Sequence, residues 1–360
     1  MQRRSFLKKA GAGLVASSAI AAPAVHAQTS IRWRLATSFN TSLPAHHTAA
    51  TKFTELVSSM SGGKFTISLH HAGELMPAFG VLDGVENGTV EGAYTNAYYF
   101  VGKNETFGLG TGLPFGLNSR QMTAWMYDGN GLDLMREFYR KYNIISFPMG
   151  NTGTQMGGWY RKEINTLDDL KGLKIRIPGL AGMVFERLGA VPQQIPGSDV
   201  YTSLEKGTID AAEWSGPLDD LRMGLNKVAP HYYYPGWWEG CAQVDLFFNT
   251  DAYDKLPQEY KSILEAASAV GHIKFQSIYD ARNPQALKEI VASGTKLHRF
   301  PKPVMDASFA ESMALFDEIS ARNPDWKKIY DDFSTFRANE NLWFRFAEGS
   351  FDQYMQSQKF

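Results

Sequence analysis

A single cysteine, Cys241, is all the thiol chemistry available to this chain of 360 residues. It cannot close an internal disulfide, and it excludes zinc-thiolate cages and Cys-pair redox chemistry. Excess positive charge is also missing, with 36 Lys and Arg against 37 Asp and Glu, so nothing in the balance seeks nucleic acid. Catalytic signatures are lacking too: there is no G-x-S-x-G elbow, no H-E-x-x-H and no Cys-His nucleophile pattern. After the N-terminus no uninterrupted apolar run is long enough to span a bilayer. An acid/base enzyme needs no short motif, so a lyase or hydrolase acting on small carboxylates stays as the competing reading.

The N-terminus reads as an export signal. Arg3, Arg4, Lys8 and Lys9 precede a small, apolar stretch that ends near Ala27. A basic start, a short apolar centre and a small-residue exit fit a cleaved segment, residues 1–27, and the paired arginines fit the twin-arginine type. Gly11-Ala12-Gly13-Leu14-Val15-Ala16 spells a dinucleotide fingerprint, but no strand precedes it and it lies within that segment. Removing residues 1–27 takes four basic residues and leaves 32 against 37 acidic, a charge of −5.

The mature part opens as strand, helix, strand. Ile31–Ala36 and Phe65–His70 alternate, and between them Ala49, Phe53, Leu56, Val57 and Met60 recur at helical spacing until Ser61-Gly62-Gly63. Alternation returns at 174–177, 190–195 and 244–248, with helical stretches such as Met183–Leu188 between. This pattern predicts an α/β fold with crossover helices. Glu86-Asn87-Gly88-Thr89-Val90-Glu91-Gly92-Ala93 is echoed by Glu205-Lys206-Gly207-Thr208-Ile209-Asp210-Ala211-Ala212. Each copy predicts a helix stopped by glycine and a strand whose carboxyl end borders a crevice, one per half; the plainer alternative is a common helix-to-strand junction. From Pro301 the pattern is helical, over 307–319 and again over 339–355, and the last helix is apolar nearly all round. Such a helix either tucks against its own domain or packs on a partner.

Several polar residues are candidates for a site. Arg176 ends an alternating strand, and its guanidinium suits a carboxylate through two parallel hydrogen bonds; the alternative is an ion pair. Glu213-Trp214 follows the small strand residues Ala211-Ala212, which delivers the carboxylate to a cleft or to an ion pair with Arg176 itself. Trp214 is either an apolar wall or core. Gln155, among small residues, offers a carbonyl oxygen to a cation or an amide to a ligand. The run from His231 to Glu239 is either a lid or a packed edge. The pairs His46-His47 and His70-His71 lack the i, i+4 spacing of a helical metal site and read as solvated or hydrogen-bonded. Gly108–Gly112 lacks the marks of a phosphate loop and reads as a flexible connector.

Three stretches carry a resemblance: Gly150–Lys162 (GNTGTQMGGWYRK), Leu170–Gly179 (LKGLKIRIPG) and Ala211–Pro217 (AAEWSGP). With them the mature chain resembles the periplasmic solute-binding subunits of tripartite ATP-independent periplasmic (TRAP) transporters, in the branch that takes 2-oxo and 2-hydroxy monocarboxylates. The resemblance implies a two-lobed periplasmic binding protein fold with helical C-terminal appendage. Its divisions would be 28–150 plus about 240–280 for one lobe, 151–239 plus about 281–300 for the other, and 301–360 for the C-terminal helices. It also implies a periplasmic location, membrane transporter subunits as partners, a carboxylate ligand bound with sodium or calcium, and a homodimer through the C-terminal helix. Arg176 then corresponds to the carboxylate clamp, with Tyr99 beside the ligand. Gln155 is shared by ligand and cation, Glu213 is a metal carboxylate, and Trp214 is a carbonyl donor and apolar wall. Glu239 is a further contact to ligand and metal, although Trp238 stands where the family pattern has histidine. Arg176, Glu213 and the ligand sum to −1, which sodium neutralises; an ionised Glu239 makes −2 and favours calcium.

Overall fold

The computed structural model of the chain describes residues 30–358; the export signal expected at 1–27 lies outside them. Two sheets organise the molecule. The first holds β1 (Ile31–Thr37), β2 (Phe65–His70), β3 (Gly92–Thr95), β4 (Ile144–Asn151) and a late-coming strand, Gln243–Asn249, in the order β2-β1-β3-(243–249)-β4. The second holds β5 (Trp159–Tyr160), β6 (Lys174–Arg176), β7 (Val191–Gln193), β8 (Ala211–Ala212) and β9 (His231–Tyr234). With β10 for Gln243–Asn249 and β11 for Lys296–Arg299, its order is β11-β9-β5-β8-β6-β7. The chain therefore crosses between sheets after β4, after β9 and again before β11.

Local chemistry explains the elements. In the first sheet β1 pairs in parallel with β2 and β3, whereas β10 runs antiparallel between β3 and β4. All residues of β4 and β10 are buried, as central strands covered on both faces must be. The helix Pro44–Met60 begins with proline in its first turn, where no N–H is needed, and buries Ala49, Phe53 and Val57. Asn118 and Gln121 form a reciprocal capping box at the start of Ser119–Tyr127, at 2.9 Å in each direction.

The two echoed segments occupy equivalent places. Helices Val81–Glu86 and Gly197–Glu205 both end just before a left-handed glycine, Gly88 (φ 69°) and Gly207 (φ 71°), and lead into β3 and β8.

One long helix, Gln258–Ala292, ties the halves together. Its Phe275 lies under Gly150 of β4, where a side chain would collide with the ring, while its Asn283 accepts a 2.9 Å hydrogen bond from Leu218 N. The tail forms Lys302–Arg322, Pro324–Phe346 and Glu348–Gln356.

Three sequence expectations change and one open choice narrows. The last helix is not continuous over 339–355: Ala347 (φ −84°, ψ −99°) leaves helical geometry and splits it. Gly108–Gly112 is not a flexible connector, because Phe107–Thr111 is a buried helical turn with Gly110 against the Tyr139 hydroxyl. Of the two readings left open for the aromatic run, the packed edge fits: it is strand β9 followed by a corner in which Trp237 and Trp238 are buried. His46 is buried without a hydrogen bond at Nδ1, so the solvated reading fails for it.

Candidate functional site

Two crossing segments build the site's floor. Residues 152–158 leave β4 and residues 235–242 lead into β10, and they are stitched together: Gln155 N donates to Glu239 O (3.1 Å), Gly236 N to Gln155 O (2.9 Å) and Thr152 N to Ala242 O (3.1 Å). Thr152 Oγ1 also accepts from Ala242 N (3.1 Å) and Gln155 Nε2 (3.2 Å). This engages the Gln155 side-chain amide and leaves its Oε1 without a partner among the described residues. A side chain at Gly236 would strike the Met156 carbonyl, so only glycine permits the approach.

Arg176 comes from the carboxyl end of β6 and is 1% exposed. Its Nη1 donates to the Glu213 carbonyl (2.6 Å) and to Glu213 Oε2 (2.8 Å), and its Nε donates to the Ile195 carbonyl (3.2 Å). The Trp214 ring covers it at 4.7 Å. Both expectations for Glu213 thus meet in one residue: it pairs with Arg176 through Oε2, and Oε1 has no partner among the described residues. Tyr99 is buried beside the same guanidinium, its phenol pushed up to about 12, chiefly by burial.

The charges are unbalanced. Burial opposes the Arg176 charge, yet Glu213 above all holds its pKa above the ordinary value. Burial, then the charge of Glu239, pushes Glu213 well above the usual carboxylate range. Glu239 is raised to about 8 by burial, against the pull of Arg176 and hydrogen bonding from Tyr98 and Gln155. Two enclosed carboxylates share one guanidinium and cannot both stay ionised without another positive charge.

Among the described residues, the buried side-chain oxygens without a hydrogen-bond partner include one from each of Gln155 (Oε1), Glu213 (Oε1) and Glu239 (Oε2). An unpartnered buried acceptor is costly, and a set of carboxylate and amide oxygens is what a hard cation takes. The residues present therefore fit sodium or calcium. A cavity of ≈ 250 Å³ opens beside Trp214, with Phe39 and Leu43 from one sheet's side and Pro196 and Gly197 from the other's. It is below the roughly 300–1,000 Å³ of drug-sized sites, in keeping with a ligand of few atoms.

These observations bring Arg176, Glu213, Trp214, Gln155, Glu239 and Tyr99 close to one another, and of the six Trp214 also lines the neighbouring cavity. Residues 36–323 match the family described as bacterial extracellular solute-binding protein, family 7. The chain belongs to this family. A monocarboxylate 2-oxoacid-binding periplasmic protein of Nostoc sp. is 40% identical over 99% of this chain and 100% of its own length. A TRAP transporter solute-binding protein of Bordetella bronchiseptica superposes with a TM-score of 0.90 at 47% identity, covering 91% of this chain and 98% of the other; it is a mixed-occupancy dimer with copurified calcium and picolinate. A TRAP protein of Pseudoalteromonas atlantica, with bound sodium and pyruvate, gives 0.88 at 39% identity over 92% and 100%.

Other participants escaped the sequence. Tyr98 faces Glu239 and packs on Gly179 (φ 66°) across the cleft. Behind Trp214 lies a second acidic pair. Asp220 Oδ2 accepts from Tyr232 (2.7 Å) and Trp159 (2.9 Å), and Asp219 Oδ2 accepts from the Tyr279 hydroxyl. Burial raises Asp219 to about 7 and Asp220 to about 6, and it lowers His46, 3.8 Å from Asp219, to about 3. Asp219-Asp220 lies in a helix's first turn, and its partners come from β5, β9 and the long helix, 12 to 61 residues away.

Proposed function

We propose that this protein is a periplasmic receptor that binds a small 2-oxo or 2-hydroxy monocarboxylate together with sodium or calcium and hands it to TRAP transporter membrane subunits. The observation that carries this is the trio of unpartnered oxygens on Gln155, Glu213 and Glu239 beside buried Arg176. The chemistry belongs to an acid with an oxygen next to its carboxylate, since that pair can chelate a hard cation. The cation would be held by Gln155, Glu213, Glu239 and the Trp214 carbonyl, and it would supply the charge that two carboxylates and an anionic ligand require. Arg176 and Tyr99 would take the ligand carboxylate. Both Nη1 hydrogens and the Nε hydrogen already serve protein oxygens, so Nη2 is the donor left for it and the two-nitrogen fork is not what this conformation offers.

The first sheet with residues 28–150 and about 240–280 forms one lobe of this reading, and the second sheet with 151–239 and about 281–300 the other. The lobes close by hinging at the stitched crossings. We read the cleft as a site of capture without turnover, a reading supported by the solute-binding family and by the transporter solute-binding proteins the chain resembles. The exposed apolar side chains of the tail, Leu342, Trp343, Phe346, Phe351 and Tyr354, support a homodimer through the C-terminal helices. Calorimetry with pyruvate and lactate, in chelator, in sodium and in calcium, tests the proposal. Cation-dependent heat is expected; no heat with either acid in any of the three overturns it.

A further inference from the structure

We propose that Glu163, His231 and His298 form a site for a borderline divalent transition-metal ion of the zinc class, on the edge of the second sheet and separate from the cleft. The two imidazoles face each other, His231 Nδ1 lying 2.9 Å from His298 Nε2. Two nitrogens each about 2.0–2.1 Å from one tetrahedral zinc ion stand about 3.3 Å apart, so an ion can replace the proton they share once the rings part by a few tenths of an ångström. Glu163 Oε1 is 3.8 Å from His231 Nδ1, too far for a hydrogen bond, and all three ligand atoms lie within 4.8 Å of one another.

The fold sets this up. Strands β9 and β11 run parallel with His231 opposite Lys296 and Tyr233 opposite His298. Residues two apart share a face, which puts both histidines on one side of the sheet. Tyr233 stacks on the His298 ring at 5.0 Å and 18°, and its hydroxyl accepts from Ile164 N at 2.7 Å, fixing the loop next to Glu163. His231 starts β9, whereas Glu239 lies beyond its other end, so the cluster shares no residue with the cleft. Two neutral imidazoles and one carboxylate suit zinc, nickel or copper better than calcium or magnesium. Glu163 is partly exposed, which leaves an open approach and room for water in the remaining positions.

The test is a titration of the full mature chain, free of any polyhistidine tag, with zinc chloride against a chromophoric chelator. Pyruvate and calcium saturate the cleft in every arm. The expected result is one zinc ion per chain at micromolar affinity or tighter. His298→Ala and Glu163→Gln should weaken it ~10–100-fold, the loss seen even for outer partners of metal sites, with pyruvate affinity unchanged. Glu163 is on a surface loop, so its variant remains informative where His298→Ala folds poorly. Absence of micromolar zinc binding, or wild-type affinity in both variants, overturns the proposal. Loss of pyruvate binding in the unsubstituted protein counts against the cleft reading alone.

Discussion

Glu213 holds Arg176 with its backbone carbonyl and its Oε2 at once, and keeps Oε1 unpartnered. The residue that positions the guanidinium is therefore also the one whose free oxygen the proposed reading gives to the cation. Removing either partner disturbs both functions, which shapes how the site is probed.

Arg176→Ala is a poor test of ligand binding, because it strands buried Glu213 and empties a packed position under Trp214; loss of one partner of a buried pair costs roughly 3–5 kcal/mol. Arg176→Lys keeps the charge and loses the geometry that serves Ile195 and Glu213 together. Its pyruvate affinity should fall ~10–100-fold, matching the roughly 1.5–3 kcal/mol of a charged hydrogen bond. Calorimetry alongside thermal melting separates this from unfolding. Wild-type affinity in a folded Lys variant would remove Arg176 from the ligand.

Glu239→Gln tests the charge count. With Glu213, Glu239 and an anionic ligand against Arg176, the site sums to −2 and a divalent ion balances it; with Gln it sums to −1. Calcium affinity is expected to drop by more than ~10-fold while sodium-supported pyruvate binding survives. Parallel titrations in chelated sodium buffer and in calcium check this, and an equal loss with both cations rules the charge argument out.

How much of this the sequence revealed follows from chain locality. Arg176, Glu213 and Trp214 sit at strand ends, and period-two alternation with small residues before Glu213 marks such ends. The glycine stops at Gly88 and Gly207 were legible because left-handed geometry favours glycine. Tyr98 was not, since its role depends on Gly179 approaching from the other half of the molecule. Gly108–Gly112 misled because glycine permits close packing as well as flexibility, and the Tyr139 hydroxyl that demands it lies 29 residues past Gly110. The break at Ala347 is unmarked at that residue, alanine being the best helix former, and its one sign is Gly349, where a side chain would strike the Phe344 carbonyl.

Asp219 gives a pH signature. Its pKa is about 7 in the fold against an ordinary 3.8, so its contribution to stability is whole below pH 3.8 and is lost as pH rises through 7. His46 runs the other way: lowered to about 3 from 6.5, it costs stability as pH falls through that window. The two oppose each other in the whole protein's curve. The difference between wild type and Asp219→Asn isolates the carboxyl, and it should fall by about 1.4 kcal/mol per pH unit at most between pH 4 and 7. Urea melts at intervals across that range measure it; a flat difference means that Asp219 is ionised in the fold.

The proposed homodimer rests on the tail. Trp326, Ile329, Tyr330 and Phe333 bury one end of the helix Pro324–Phe346 in its own chain, and Asp332 accepts from Trp125 Nε1 at 2.8 Å. A cut after Asp332 would remove buried Phe333, but a stop after Asn339 keeps every buried tail residue and deletes only the part carrying Leu342, Trp343, Phe346, Phe351 and Tyr354. Five large apolar side chains, each at least 58% exposed on one chain, form a surface that soluble monomers seldom carry. Light scattering should therefore give a dimer for the full mature chain and a monomer for the shortened one, with pyruvate affinity equal in both. Equality is the informative half: no cleft residue comes from the tail, so a shortened chain that loses pyruvate would show that dimerisation completes the site, and a full-length monomer would leave the apolar face without its second copy.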